Sequence, residues 1–152
     1  MERDAASIGA RPRAPNTPWA FFACAEHGYA VRLERVHEIV PPQAVTRVPG
    51  CGREVYGLLG LRGRVITVFD LGIIAGGSAS ASVPDHRLML LKYGERVVGL
   101  AVDQVLTIAA FEVIEDDEAR ASGRGESTVA LKAGGRTFTI LDPDAVFGPR
   151  LA

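Results

Sequence analysis

Two cysteines, three histidines and a single tryptophan in 152 residues leave this chain short of the side chains on which most compact reactive sites depend. Cys24 and Cys51 allow at most one bridge, so a disulfide framework is excluded, and reduced thiols fit an intracellular chain. His27, His37 and His86 are far apart; His37-Glu38 is not followed by the second histidine of a zinc-protease helix, and the two cysteines are too distant for a zinc knuckle. No metal site is expected. The phosphate loop G-x-x-x-x-G-K-[ST] does not occur, Gly57, Gly60 and Gly63 do not have dinucleotide spacing, and no serine stands in a nucleophile elbow. Neither catalytic residues nor a cofactor are therefore expected. An excess of one charge is missing too: 17 basic against 18 acidic residues give a net charge of −1 with scattered arginines, which does not favour nucleic acid. The longest apolar run, Trp19 to Ala25, is far too short to span a bilayer, and the N-terminus lacks a basic-then-apolar leader pattern. A cytoplasmic chain with no membrane insertion is the expectation. The acidic run Glu115 to Glu118 lacks the alternation and glycine of a calcium loop and reads as solvated charge.

What the chain does contain is short apolar segments punctuated by glycine. At 47% hydrophobic residues it can bury one domain-sized core. Residues 1–18 mix charge, alanine and three prolines and read as a flexible arm. Strands are expected at Trp19 to Cys24 and Tyr29 to Leu33, joined across Glu26-His27-Gly28, and at Val36 to Val40 before Pro41-Pro42. The stretch Val55 to Leu71 organises the rest: two apolar arms reverse at an Arg62-Gly63 turn, and Val65 to Phe69 carries apolar residues on both faces, as a strand between two layers would. One helical turn follows at Leu71 to Ala75, then a Gly/Ser/Ala linker over 76–84. Strands resume at Leu88 to Lys92, Arg96 to Val102 and Val105 to Phe111. After a polar loop over Glu115 to Gly125, Thr128 to Lys132 and Arg136 to Leu141 form a last hairpin, and Asp142-Pro143 starts a short helix.

Two internal matches point to a duplication. Arg64-Val-Ile-Thr-Val-Phe-Asp70 aligns with Arg136-Thr-Phe-Thr-Ile-Leu-Asp142, 72 residues on, and Leu33-Glu-Arg-Val-His-Glu-Ile39 aligns with Val102-Asp-Gln-Val-Leu-Thr-Ile108, 69 residues on. Two matches in one order at nearly equal offsets suggest two related β units on either side of the linker, and short glycine-rich strands fit small barrels.

The sequence resembles the CheW-like domains, adaptors of bacterial chemotaxis arrays, from about Trp19 to Phe147. The resemblance rests on Val36-His-Glu-Ile39, Val48-Pro49, Gly57-Leu-Leu-Gly-Leu-Arg-Gly-Arg-Val-Ile-Thr-Val-Phe-Asp-Leu71 and Val98-Gly-Leu-Ala-Val-Asp-Gln-Val105. It implies an all-β fold of two small five-stranded SH3-like or OB-like barrels around a shared hydrophobic core, with short helical turns. The domain would cover 19–150, with barrel units near 19–75 and 85–147. It also implies no enzymatic activity and a role joining the cytoplasmic tip of transmembrane chemoreceptors to the regulatory domain of a CheA-type sensor histidine kinase. Carried over position by position, Arg62 with Gly63 and Glu38 match residues associated with partner contact, while Val36, Gly57, Gly99 and Val105 match positions lining or supporting the groove between the barrels, where a receptor helix is expected. The chain departs from the family at Gly60, often Asn, at Thr67, often Pro, and in a short Glu115 to Ser127 connection.

From the residues alone, Arg62 either binds a partner through its fork of donors or pairs internally with Glu38 or Asp70. Asp70 and Asp103 read as turn-stabilising acceptors of backbone N–H groups. The competing functions are a stand-alone peptide- or small-ligand-binding barrel, an adaptor of a non-flagellar motility or signalling pathway, and a hydrolase using Cys24 or Cys51.

Overall fold

Strand β1 (Pro18–Cys24) is apolar on both sides and is buried on both. Trp19 and Phe21 face a cluster with Ala30 and Phe138, whereas Ala20, Phe22 and Cys24 face a larger one containing Met89, Leu91, Val98, Leu100 and Phe147. A strand of this kind has to lie between two layers, because each half of its alternation needs an apolar partner. The structure, a computed structural model, describes residues 18–110, 130–133 and 136–151. The expected arm lies outside these residues apart from Pro18, as does the expected loop over Glu115 to Gly125.

Among the described residues, ten strands form two five-stranded sheets. The others are β2 (His27–Arg32), β3 (Val36–Val40), β4 (Val55–Leu61), β5 (Arg64–Asp70), β6 (Arg87–Tyr93), β7 (Arg96–Val102), β8 (Gln104–Ala110), β9 (Ala130–Ala133) and β10 (Arg136–Ile140). The first sheet has the order β8-β1-β2-β10-β9 and the second β3-β6-β7-β5-β4. Pairing is antiparallel except for β10 with β2 and β5 with β7. Each sheet encloses its own apolar cluster, aromatic in the first (Trp19, Phe21, Phe138) and aliphatic in the second (Leu59, Ile66, Val68, Leu88, Leu90). The third cluster joins them: Phe22, Val31, Met89, Leu91, Leu100 and Phe147 are all buried there. The all-β architecture of two barrel-like units around a shared core is thus present.

The division into units 19–75 and 85–147 does not match the pairing. Strands β1 to β5 and β6 to β10 do repeat: β1 begins at 18 and β6 at 87, β2 at 27 and β7 at 96, an offset of 69 in both cases. But each sheet takes two strands from one half and three from the other. The two halves are therefore strand-exchanged, and the doubly apolar β1, β6 and β7 become the inner strands through which both barrels share one core. Internal homology reports which segments are related, not which segments pair.

Three further expectations are corrected. The β1–β2 turn is Ala25-Glu26, with φ of +50° and +69°, and Gly28 sits inside β2, where a Cβ would lie 2.6 Å from the Phe138 ring. Left-handed non-glycine residues cost roughly 1–2 kcal/mol each; here the Ala25 amide donates to Asp103 Oδ2 at 3.0 Å, which anchors the turn. The supposed linker is held down as well: the amides of Ser80 (2.8 Å) and Ala81 (2.9 Å) donate to the carboxylate of Asp70, which also caps helix α1 (Leu71–Ile74) through Ile73. Asp70 is only 2% exposed, so this strap closes over a buried anion satisfied by peptide N–H groups. Finally, Val65 is 74% exposed, so the outer face of β5 is covered only from Thr67 onward.

The C-terminal helix α2 (Pro143–Leu151) starts as the Asp-Pro pair predicts, the Asp144 amide donating to Asp142 Oδ1 at 3.0 Å. Phe147 pins it to the shared core beside Phe69, and Arg150 pairs with Glu54 at 2.8 Å. No helix among the described residues is long and apolar enough to cross a membrane.

Candidate functional site

In the second sheet β3 and β4 are the two edges, at opposite ends of the strand order. Sheet twist brings such edges round toward one another, and they meet here in two places. Thr46, in the connection after β3, forms a reciprocal pair of 2.8 Å backbone bonds with Leu58 of β4. At the tip of the β4–β5 hairpin, Arg62 reaches Glu38 of β3 with both terminal nitrogens, Nη1 to Oε1 at 2.6 Å and Nη2 to Oε2 at 2.8 Å. The ion pair is a clasp across the seam of the barrel.

The local sequence explains why Arg62 can do this. Leu61 pairs with Arg64, leaving a two-residue turn in which Arg62 (φ +51°) and Gly63 (φ +79°) are both left-handed, the geometry that matches strand twist in a tight hairpin. On the other side, β3 has a bulge between Val36 and Glu38, which breaks the strict alternation of the strand next to the acidic residue. The Arg62 side chain is 66% exposed and that of Glu38 is 27% exposed. The hydrogen bond from Arg62, assisted by its charge, holds the Glu38 carboxyl below the usual carboxylate range, and the same bond pushes the guanidinium up. A guanidinium has five N–H donors and the clasp uses two, so a charged donor surface remains presented to solvent.

Among the sequence-predicted residues, the structure brings Arg62, Gly63 and Glu38 together, with Val36 two positions along β3, half-buried against the shared core. Val105 occupies the related place on β8, opposite Phe22, also half-buried on that core and on the other sheet. Gly57 and Gly99 are elsewhere: they flank Val68 in a row across β4, β5 and β7, and both are buried. A Cβ on Gly99 would lie 2.9 Å from Val68, and one on Gly57 would collide with the Thr46 carbonyl. Their part is to let backbone and side chain approach closely, which supports the seam from within. Sequence reading missed Val65, the exposed apolar residue that follows the arginine turn and faces Gly60 across the hairpin.

The reactive alternatives find little here. Cys24 is buried with its thiol 3.2 Å from Ser80 Oγ, and burial, reinforced by Asp103 and Asp70, pushes its pKa up to about 11, so it stays protonated at neutral pH. Cys51 is exposed on a loop. Nδ1 of buried His86 meets the Val83 carbonyl at 2.7 Å, far in role from a thiol's base. Among the described residues no cluster of three potential metal ligands occurs, and the interiors of both sheets are filled by side chains.

Comparison with known proteins adds to this geometry. Residues 19–149 match the family described as CheW-like domain. The chain is 26% identical over 123 residues to the chemotaxis protein CheW of Klebsiella aerogenes, covering 79% of this chain and 74% of that one, and 27% identical over 122 residues to its Bacillus subtilis namesake, covering 78% of each. A third match, to chemotaxis protein CheW of Helicobacter pylori, is 29% identical over 84 residues, 55% of this chain, and spans about half (51%) of that relative. The crystal structure of the scaffolding protein TtCheW from Thermoanaerobacter tengcongensis superposes with a TM-score of 0.72 at 22% identity, over 84% of this chain and 89% of that one, a likeness of fold.

Proposed function

The chain belongs to the CheW-like domain family, and from that premise we propose that it is a non-enzymatic cytoplasmic adaptor that holds the tip of a chemoreceptor and the regulatory domain of a CheA-type histidine kinase in one complex. The clasp between Arg62 and Glu38 is the observation that supports this reading most. It sets a two-thirds exposed guanidinium at a fixed point on a rigid hairpin, with donors left over and an exposed valine alongside. Such a combination of preset charge and apolar contact suits recognition of a partner surface, since little rotamer freedom remains to be lost on binding. Val36 and Val105, half-buried on the outer strands, offer apolar surface for an amphipathic helix. In this reading residues 19–150 act as a single unit.

The test is reconstitution. Purified protein mixed with a receptor cytoplasmic fragment and a kinase regulatory domain is expected to elute as one complex on size exclusion, and Val105→Glu is expected to weaken the receptor arm by placing a charge against apolar surface. Failure to join either component would remove the adaptor reading. A barrel acting alone on a small ligand needs an open interior, and both interiors here are occupied by side chains.

A further inference from the structure

At the end of the second sheet opposite the arginine clasp lies an open cleft of about 490 Å³ lined by Arg47, Arg53, Val55, Tyr56, Asp70 and Ile73, with the strap residues Ala79, Ala81 and Ser82 closing one side. Val55 and Leu61 end the same strand, so the cleft and the clasp are about 20 Å apart by the rise of an extended chain. They are separate surfaces.

Of the charged residues that line the cleft among the described residues, Asp70 is engaged and Arg47 and Arg53 are not. Asp70, at its floor, accepts three peptide N–H bonds. Glu54, next in sequence to Arg53, is held by Arg150 at 2.8 and 3.2 Å. Ser82 donates its hydroxyl to the Ala79 carbonyl at 2.7 Å. Arg47 and Arg53 are exposed, and among the described residues neither has a hydrogen bond or an ion pair. Tyr56, set edge-on against His86 with ring centroids 6.2 Å apart, gives the same wall a hydroxyl with no partner among the described residues. Two arginines with unused forks and a tyrosine therefore line a space whose other lining, apart from the engaged Asp70 and Ser82, is the apolar set Val55, Ile73, Ala79 and Ala81.

We propose that this cleft binds a carboxylate carried on a short apolar stem, with Arg47 and Arg53 as its cationic clamp. Planar guanidinium forks match the two oxygens of a carboxylate. The anionic floor selects against higher charge: Asp70 repels a phosphate dianion more than a single carboxylate. Across the strap, Glu26 and Asp103 line a neighbouring 320 Å³ cleft that shares Ala79 and Ser82, so an extended polyanion running past the strap meets like charge. The carboxylate has two sources, an acidic side chain of a peptide segment or a free short-chain monocarboxylic acid, and the cleft's chemistry is common to both.

Titration of 15N-labelled protein by NMR distinguishes them. The probes are acetyl-Ala-Glu-Ala-amide, its Gln counterpart, butyrate, butyramide and inorganic phosphate. Saturable shifts confined to Arg53, Val55, Tyr56, Ile73 and Ala81 are expected with the glutamate peptide or with butyrate; the peptide alone assigns a peptide source, butyrate at equal or greater strength a free acid. Removing each guanidinium by Arg47→Ala and Arg53→Ala is expected to weaken binding by about tenfold for each charge-assisted hydrogen bond abolished, with the rest of the spectrum unchanged because both side chains are exposed. The proposal is overturned if neither carboxylate gives saturable shifts, if the amide probes shift the same residues equally, if phosphate binds more tightly, or if the double alanine variant binds like the parent.

Discussion

The two sheets share a plan and a core but differ in sequence at the positions that clasp the second. In the second, Glu38 on β3 and Arg62 at the β4–β5 turn lock the edges together. In the first, the aligned positions are Thr107 and Gly134, so the repeat keeps its strands and its Asp-ended motif but not the charges. The first sheet, whose aligned positions carry no charge, has the aromatic interior, with Phe21 against Phe138 at 4.8 Å, while the clasped sheet is aliphatic within. The two copies of a duplicated fold thus differ in sequence at this point, and the departure from symmetry marks Arg62 and Glu38 as residues that the repeat by itself does not require.

If the shared core rather than either interior makes the molecule cooperative, its breakage has the largest effect. Phe22→Ala and Phe147→Ala are each expected to destabilise by about 3–5 kcal/mol while keeping one unfolding transition in urea by both circular dichroism and tryptophan fluorescence; two separate transitions would show that the sheets are independent. Next comes the aspartate that ends each copy of the repeat. Asp70 is buried with three N–H donors, whereas Asp142 is exposed and caps α2 through the Asp144 amide. Asp70→Ala is expected to cost about 2–4 kcal/mol through unsatisfied buried amides, and Asp142→Ala about 1 kcal/mol; equal losses in thermal melts would contradict the asymmetry. Smallest is the pH response of the clasp. Arg62 lowers the folded pKa of Glu38 below 4.5, so the pair's stabilisation is present above that value and is lost as pH falls through the lowered one. Glu38→Gln is expected to flatten the acid limb of the Tm profile and to leave the shape of the profile unchanged above about pH 6, whereas a parallel offset at all pH values would assign the effect to packing.

Much of this was legible locally. Strands at 36–40 and 96–102 follow from their residues, the Arg62-Gly63 turn from its glycine and flanking apolar arms, and the roles of Asp70 and Asp103 from carboxylates placed where strands end. The strand exchange was not, because pairing partners are set by burial across the whole molecule rather than by neighbours in sequence. The strap over 76–84 has a flexible composition and is ordered by a carboxylate up to 11 residues earlier. The Ala25-Glu26 turn lacks glycine and depends on Asp103, distant in sequence, for its anchor. At the site, the pairing of Arg62 with Glu38 was one of the two internal partners open to it, while the buried setting of Gly57 and Gly99 emerges only when strands β4, β5 and β7 are laid side by side.

The most direct test of the clasp as both lock and contact is a charge-reversal cycle, Arg62→Glu, Glu38→Arg and the two combined, measured for Tm and for affinity to a receptor cytoplasmic fragment. If the pair does both, either single reversal lowers both quantities, and the combined variant recovers Tm without recovering affinity. A combined variant that binds like the parent would show that the pair serves the barrel alone, and that the receptor meets this protein on another face.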